Sequence, residues 1–136
     1  MDTVNIWSII VASIVAFAIS ALWYSPVLFG KEWMALSKID AKDVANAKAS
    51  GMTWLYVWQL VITFVTFTVM AFAIAALGAN GRDGAMIGFL AWVGFILPTG
   101  LSGLLWEKKP LKLILITTVG VLVNLVIGGA IIGAWN

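Results

Sequence analysis

Residues 113–136 read LILITTVGVLVNLVIGGAIIGAWN, which is 24 consecutive positions without Asp, Glu, Lys or Arg. A helix needs about 20 apolar residues to cross the hydrocarbon core of a bilayer, so this stretch is long enough to span it once and too short to span it twice. Three more charge-free stretches precede it, at residues 3–30, 49–81 and 84–106. The sequence therefore predicts an all-α integral membrane four-helix bundle.

The composition supports a membrane protein and argues against soluble classes. Hydrophobic residues make up 62% of the chain and charged residues 10%, and the mean hydropathy is +1.06. A soluble domain carries about 25% charged residues. We expect a single membrane domain over residues 1–136, because the loops are too short to hold a second one. The net charge of +2 is small and lies in the loops, so we expect no nucleic-acid partner.

Cysteine and histidine are both absent from the sequence. Their absence excludes disulfides, iron–sulfur clusters, ordinary zinc sites and histidine-ligated haem, and it removes the commonest general base. The acid nearest to a span is Glu107, which neighbours Lys108 and Lys109. Its favoured interpretation is a solvated interfacial charge. We therefore expect no enzymatic activity, no cofactor and no metal.

The polar segments divide the chain into four spans. These are expected at about residues 5–24, 54–77, 85–106 and 111–135. We interpret the first as a retained helix, because a signal peptide has basic residues before a shorter apolar core. In the loop 31–50, Asp40 suits a helix N-cap, Asp43 a first turn and Gly51 a stop. The loop therefore predicts a short amphipathic surface helix, and the Gly- and Asn-rich residues 78–84 predict a tight turn.

The distribution of positive charge predicts the orientation. One side of the bundle is lysine-rich, and it carries Lys31, Lys38, Lys42, Lys48, Lys108, Lys109 and Lys112. The other side carries Arg82 alone. Positive loops stay in the cytoplasm, so we expect both termini to lie outside it, in a cell (inner) membrane. Tryptophan and tyrosine concentrate at bilayer interfaces. The expected anchors on the lysine-rich side are Trp23, Tyr24, Trp54 and Trp106.

Uncharged polar side chains within the spans are candidates for a pore or pocket. Gln59 and Thr63 share a face of the second span, and Thr117 and Asn124 share a face of the fourth. An unpaired amide in lipid costs several kcal/mol, so Asn124 is expected to face protein or water. Two interpretations stay open: hydrogen bonds between helices, worth about 0.6–2 kcal/mol, or the lining of a pore or pocket.

The third span combines Pro98 with several glycines. Proline lacks an N–H and clashes with the carbonyl four residues back, which belongs to Gly94, so a kink is predicted there. Trp92 lies near mid-membrane, and its indole N–H needs an acceptor, expected to be the Gly94 carbonyl or Thr99. Thr99 and Ser102 complete the candidate lining. A broken helix that lines a cavity and a closely packed helix rich in Gly and Pro both fit this pattern.

Small-residue motifs predict close contacts between helices. Gly84-xxx-Gly88 opens the third span, and Gly129-xxx-Gly133 lies in the fourth, directly after Gly128. Such motifs let two helix backbones approach each other. Four short spans with several such faces offer more contact surface than one copy uses. We therefore expect a homo-oligomer with these glycines in a packing interface. The lipid bilayer is also an expected partner, and a membrane-protein partner stays open.

Three segments carry a resemblance to a known family. Residues 23–33 (WYSPVLFGKEW), 88–98 (GFLAWVGFILP) and 129–133 (GAIIG) resemble the family known as domain of unknown function 1761. The resemblance implies a short, four-span membrane protein, most often bacterial. Members often have an Asn and a Gly-Tyr pair early in the fourth span, where this chain has Thr117 and Gly120-Val121. The resemblance implies an architecture and no mechanism.

The sequence leaves two functions open. We expect an oligomeric membrane protein that passes a neutral solute or an ion, as a small transporter or channel. The alternative is a structural or accessory subunit of a membrane assembly. Small multidrug transporters have a similar size but rely on a carboxylate in their first helix, where this chain has Ser8, Ser13 and Ser20 and no acid. Without an ionisable residue at bilayer depth, proton-coupled export is not expected.

Overall fold

The computed structural model describes residues 4–39, 41–49 and 51–135. Over this part of the chain all regular elements are helical: α1 Ile6–Trp23, α2 Gly30–Leu36, α3 Ala41–Ala49, α4 Met52–Leu77, α5 Gly81–Ala91, a π-helical turn Trp92–Ile96, α6 Leu97–Trp106 and α7 Leu111–Trp135. Four of the helical segments described there are long and apolar enough to cross a membrane, namely α1, α4, the continuous segment Gly81–Trp106 and α7. The predicted all-α fold with four span-length helices is confirmed.

Local boundaries differ from the sequence-based ones in two places. A tight turn was predicted over residues 78–84, but α5 already begins at Gly81. The cause is Asn80, whose side-chain oxygen accepts the N–H of Asp83 at 3.0 Å and so caps the helix. The loop 31–50 holds part of α2 as well as α3, and α2 was not predicted. The proposed N-cap residue Asp40 lies outside the described residues.

Helix α7 lies at the centre of the bundle. It contacts α1, α2, α4, α5, the π-helical turn and α6. Its buried residues run almost its whole length: Leu113, Ile114, Ile116, Thr118, Gly120, Leu125, Gly128, Gly129, Ile132 and Gly133. The other three spans therefore pack around α7 rather than forming a ring of equivalent helices.

Helices α5 and α7 pack with their backbones in direct contact. A methyl group added to Gly84 would collide with the Gly129 carbonyl, and one added to Gly129 would collide with the Gly84 carbonyl. Farther along the same crossing, a methyl group on Gly88 would meet the backbone of α7, and one on Gly133 would meet the backbone of Asn80. Two Gly-xxx-Gly motifs thus form one antiparallel contact within the chain.

These glycines form a packing interface within the chain, whereas Gly128, Gly129 or Gly133 was expected to lie between copies. Gly84, Gly88, Gly129 and Gly133 face one another's helices within the same chain, and Gly128 is covered by the ring of Phe67 from α4. The physical reason is that small-residue faces promote close approach without specifying whether the partner helix belongs to the same copy.

The buried core is concentrated at the end of the bundle opposite the lysines. Its residues on the outer spans come from the first half of α1 and the second half of α4: Ser8, Ile9, Ala12, Ser13, Ala16, Phe67, Met70, Ala71 and Ile74. The two spans are antiparallel, so both halves lie at that end. Toward the lysine-rich end, every residue from 53 to 62 of α4 is exposed. The bundle is therefore closed at one end and open at the other.

The α5–α7 contact yields a stability prediction. Gly84→Ala should lower the free energy of unfolding by about 1–3 kcal/mol, because the new methyl group meets a backbone carbonyl and forces the helices apart. Gly94→Ala is the matched control, since a Cβ at Gly94 meets nothing within 4 Å. The measurement is denaturant unfolding in detergent micelles, followed by helicity. Equal losses in the two variants would contradict the assigned contact.

Candidate functional site

A cavity of about 890 Å³ opens at the lysine-rich end of the bundle. The end of α2, the end of α6 and the start of α7 form its walls. Its charged lining consists of Lys38, Glu107, Lys108 and Lys109. Its hydroxyl lining consists of Ser37, Thr99, Ser102 and Thr117, and two rings, Trp33 and Trp106, complete the polar part of the wall. We call this space the lysine cavity.

The turn between α1 and α2 positions one wall of the lysine cavity. The Phe29 N–H donates to the Trp23 carbonyl at 3.0 Å, and the Gly30 N–H donates to the Ser25 carbonyl at 2.9 Å. A methyl group on Gly30 would collide with the Tyr24 carbonyl, so no larger residue fits. These bonds fold residues 23–30 back on themselves and start α2 beside the end of α1.

Aromatic and ionic contacts then hold α2 in place. The rings of Tyr24 and Trp33 meet edge to face, with their centroids 5.3 Å apart. Glu32 pairs with Lys112 at 3.1 Å, which ties α2 to the first turn of α7. Trp33 is thereby fixed in the cavity wall.

Two indole groups donate to backbone carbonyls of α7 that lie two residues apart. Trp23 Nε1 donates to the Ile116 carbonyl at 2.9 Å, and Trp92 Nε1 donates to the Thr118 carbonyl at 2.6 Å. The expected acceptors for Trp92, the Gly94 carbonyl or Thr99, were wrong, because the side chain reaches across to α7 instead of back along its own helix. Trp23, expected as an interfacial anchor, is half-buried, and its indole covers Gly120.

The π-helical turn changes which residues of the third span share a face. The Leu97 N–H bonds to the Trp92 carbonyl, five residues back, so one extra residue enters the turn. Trp92 faces α7, whereas Phe95, three residues later in the same turn, is 75% exposed. The turn includes Gly94 and ends before Pro98, which lies in the first turn of α6, where a missing N–H is tolerated. The kink expected at Gly94 and Pro98 stays a prediction.

Asn124 makes one hydrogen bond to the first span. Its side-chain nitrogen donates to Ser20 Oγ at 2.9 Å. Its Oδ1 is buried and has no hydrogen-bond partner among the described residues. Thr117, which lines the lysine cavity, lies two turns earlier on the same face of α7. Thr117 and Asn124 are therefore two polar positions on one face of α7, and the Trp23 indole lies between them over Gly120.

The other candidate lining residues do not converge on one site. Thr99 and Ser102 line the lysine cavity, whereas Gln59 and Thr63 lie on α4 outside it. Gln59 is exposed, and its Nε2 donates to Thr63 Oγ1 at 3.3 Å. Besides the four hydroxyl groups, the cavity wall contains charged side chains, which the sequence did not indicate as part of a site. The lysine-rich loops were the only signal that could have indicated them.

Glu107 has a local partner. Its carboxylate pairs with Lys109 at 2.8 Å, and the Glu107 side chain is 60% exposed. An exposed pair of this kind contributes little to stability. Its location in the cavity wall nevertheless gives Glu107 a second role, because it neutralises one of the three lysines there.

Comparison with known proteins returns one finding. A family model described as "Protein of unknown function (DUF1761)" matches residues 7–133, and the chain belongs to this family. The match extends from α1 through nearly all of α7 and includes the α1–α2 turn. No curated protein and no solved structure matches the chain.

Proposed function

Because its family carries no assigned activity, we propose a function from the cavity: the protein is a small transporter or channel that takes a neutral solute or an ion from the lysine-rich side. The observation that carries the proposal is the one-sided shape of the bundle. A cavity of about 890 Å³ opens at the lysine-rich end, while buried side chains close the opposite end. A space that opens to one side and is lined by hydroxyl groups is suited to admit a polar solute.

Two polar positions on one face of α7 support an inward path that passes the Trp23 indole over Gly120. Thr117 lines the cavity, and the amide of Asn124 lies about 10 Å farther along the helix axis, given a rise of about 1.5 Å per residue. The unpartnered Oδ1 of Asn124 is an acceptor for a solute hydroxyl, an amine or a cation. Since the spans carry no ionisable residue at this depth, the proposed passage is passive and uncoupled from protons. The proposal assigns the protein no catalytic step.

Thr117 provides the test of passage. Thr117→Val should slow solute flux about fivefold, because it removes one cavity hydroxyl worth roughly 1 kcal/mol. Thr66→Val is the matched control, since both hydroxyls bond at 3.1 Å to the carbonyl four residues back, but Thr66 lies outside the cavity. Flux of a panel of neutral solutes and ions is measured in proteoliposomes with and without a pH gradient. Absence of flux for every solute would reject the proposal.

Assembly of several copies is part of the proposal. Residues 53–62 of α4 are all exposed, and they include the amide of Gln59. An amide that faces lipid is costly, whereas an amide between helices gains a partner. We assign this surface to a second copy of the chain, with Gln59 at the contact. The same surface also favours the second candidate function, an accessory subunit, if its occupant is another protein.

The absence of cysteine makes this surface easy to probe. A single cysteine in Ile62→Cys should form disulfide-linked dimers under mild oxidation in native membranes, because copies meet along α4. Leu105→Cys is the control, as it is more exposed, 72% against 57%, and lies on α6. The mass of the product on a non-reducing gel decides the outcome. An Ile62→Cys adduct of a different mass would support the accessory function, and absence of any adduct would contradict both assignments.

The orientation is proposed from the same charges that surround the cavity. We propose that the side with seven lysines faces the cytoplasm of a bacterial cell, with both termini outside it, because positively charged loops stay in the cytoplasm. A reporter that is active only outside the cytoplasm should therefore be active when fused after Asn136, and inactive when inserted within residues 41–49. The reverse pattern of activity would overturn this topology.

A further inference from the structure

Two lysines in the cavity wall adopt a left-handed backbone conformation. The φ angle is +59° at Lys38 and +54° at Lys108. This region favours glycine, because a Cβ there lies too close to the following carbonyl oxygen. Lys38 follows α2, and its N–H bonds to the Ala35 carbonyl at 3.3 Å; Lys108 follows α6. Both lysines therefore occupy the position after a helix where glycine is most common.

Another helix of the same chain shows the usual solution. Helix α4 ends in a left-handed turn at Gly78, with a φ of +62° and an N–H bonded to the Ala75 carbonyl at 3.2 Å. That turn lies at the lysine-poor end, away from the cavity. The chain thus uses glycine for this geometry there and lysine at two points of the cavity wall. Strained residues cluster at functional sites. Lysine in place of glycine at these two strained positions therefore indicates that the positive charges serve a ligand.

Among the described residues, the ion pairs around the lysine cavity do not involve these two lysines. Lys109 pairs with Glu107 at 2.8 Å, and Lys112 pairs with Glu32 at 3.1 Å. Within residues 4–39, 41–49 and 51–135, neither Lys38 nor Lys108 forms a salt bridge. The lining therefore holds two positive charges beyond those that its own glutamate neutralises.

The surface beside the cavity is apolar. Trp106 at the cavity edge is 86% exposed, and Leu105 next to it is 72% exposed. Exposed leucines continue along α6 toward the membrane centre, at Leu101 and Leu104. A ligand that satisfies both surfaces must carry a negative head and an apolar tail, and tryptophan suits the level between them.

We propose that the lysine cavity binds the phosphate headgroup of an anionic phospholipid between Lys38 and Lys108, with its acyl chains along α6. Basic pockets between spans on the cytoplasmic side are suited to such headgroups. The inference goes beyond the proposed function, because the bound lipid is a second ligand of the cavity and not the solute that passes, and it rests on that cavity being a binding site. The exposed leucines of α6 border the cavity and face the bilayer, so the acyl chains of a lipid whose headgroup lies at the two lysines would run along them.

The test compares two variants with the same loss of charge. Lys38→Gln combined with Lys108→Gln removes the cavity charges, and Lys42→Gln combined with Lys48→Gln removes two exposed lysines of α3. Native mass spectrometry measures retention of phosphatidylglycerol and phosphatidylcholine by the purified full chain. The natural protein should prefer phosphatidylglycerol. The cavity variant should bind it about 30-fold more weakly, and the α3 variant should bind it as the natural protein does.

Three outcomes would overturn the inference. Equal weakening in the two double variants would mean a general attraction of the lysine-rich end for anionic lipid. Equal retention of phosphatidylcholine would remove the role of charge. Displacement of phosphatidylglycerol by millimolar inorganic phosphate would identify a soluble phosphate compound as the ligand. Helicity of each variant, measured in parallel, confirms that it is folded.

Flux measurements separate this inference from the proposed function. Selective binding of phosphatidylglycerol without any solute flux would overturn passage and leave the lipid site standing. Flux in vesicles of pure phosphatidylcholine, without selective binding, would overturn the lipid site and leave passage standing.

Discussion

The direct backbone contact between α5 and α7 is the constraint on which the rest of the structure depends. Gly84 and Gly129 lie so close that neither can carry a side chain. In lipid, helices gain little from burying apolar side chains, so close backbone packing is what holds them together. Once α7 is fixed at the centre, Trp92 from the third span and Trp23 from α1 both donate to its carbonyls.

One of the segments that carry the family resemblance shapes the cavity wall. Residues 23–30 fold into a turn that only glycine at position 30 allows, and the turn brings α2 against the end of α1. Trp33 and Lys38 reach the cavity wall through this arrangement. The family resemblance in this region therefore includes residues that shape the cavity wall.

The candidate site was only partly predictable. Thr99 and Ser102 lie in the wall of the lysine cavity, and Asn124, expected to face protein or water, bonds to Ser20. Their role in a pore stays a prediction. Gln59 was expected in the same lining but lies outside it on α4, because hydrophobic periodicity does not reveal which face of a lipid-embedded helix turns inward. The role of Lys38 and Lys108 depends on backbone angles and on contacts between distant segments, which no local pattern contains.

The sequence by itself determined that the chain lies in a membrane, how many spans it has and which side is lysine-rich. The reason is that hydropathy and charge can be read residue by residue along the chain. Only the tertiary structure decided that α7 is central, that the glycine motifs meet within one chain, and that one end of the bundle is open. Pro98 in the sequence predicted an interruption of the third span. Only the structure shows the π-helical turn, which sets the side of the helix on which Trp92 lies. The reason is that helix pairing and register depend on contacts between residues far apart in the chain.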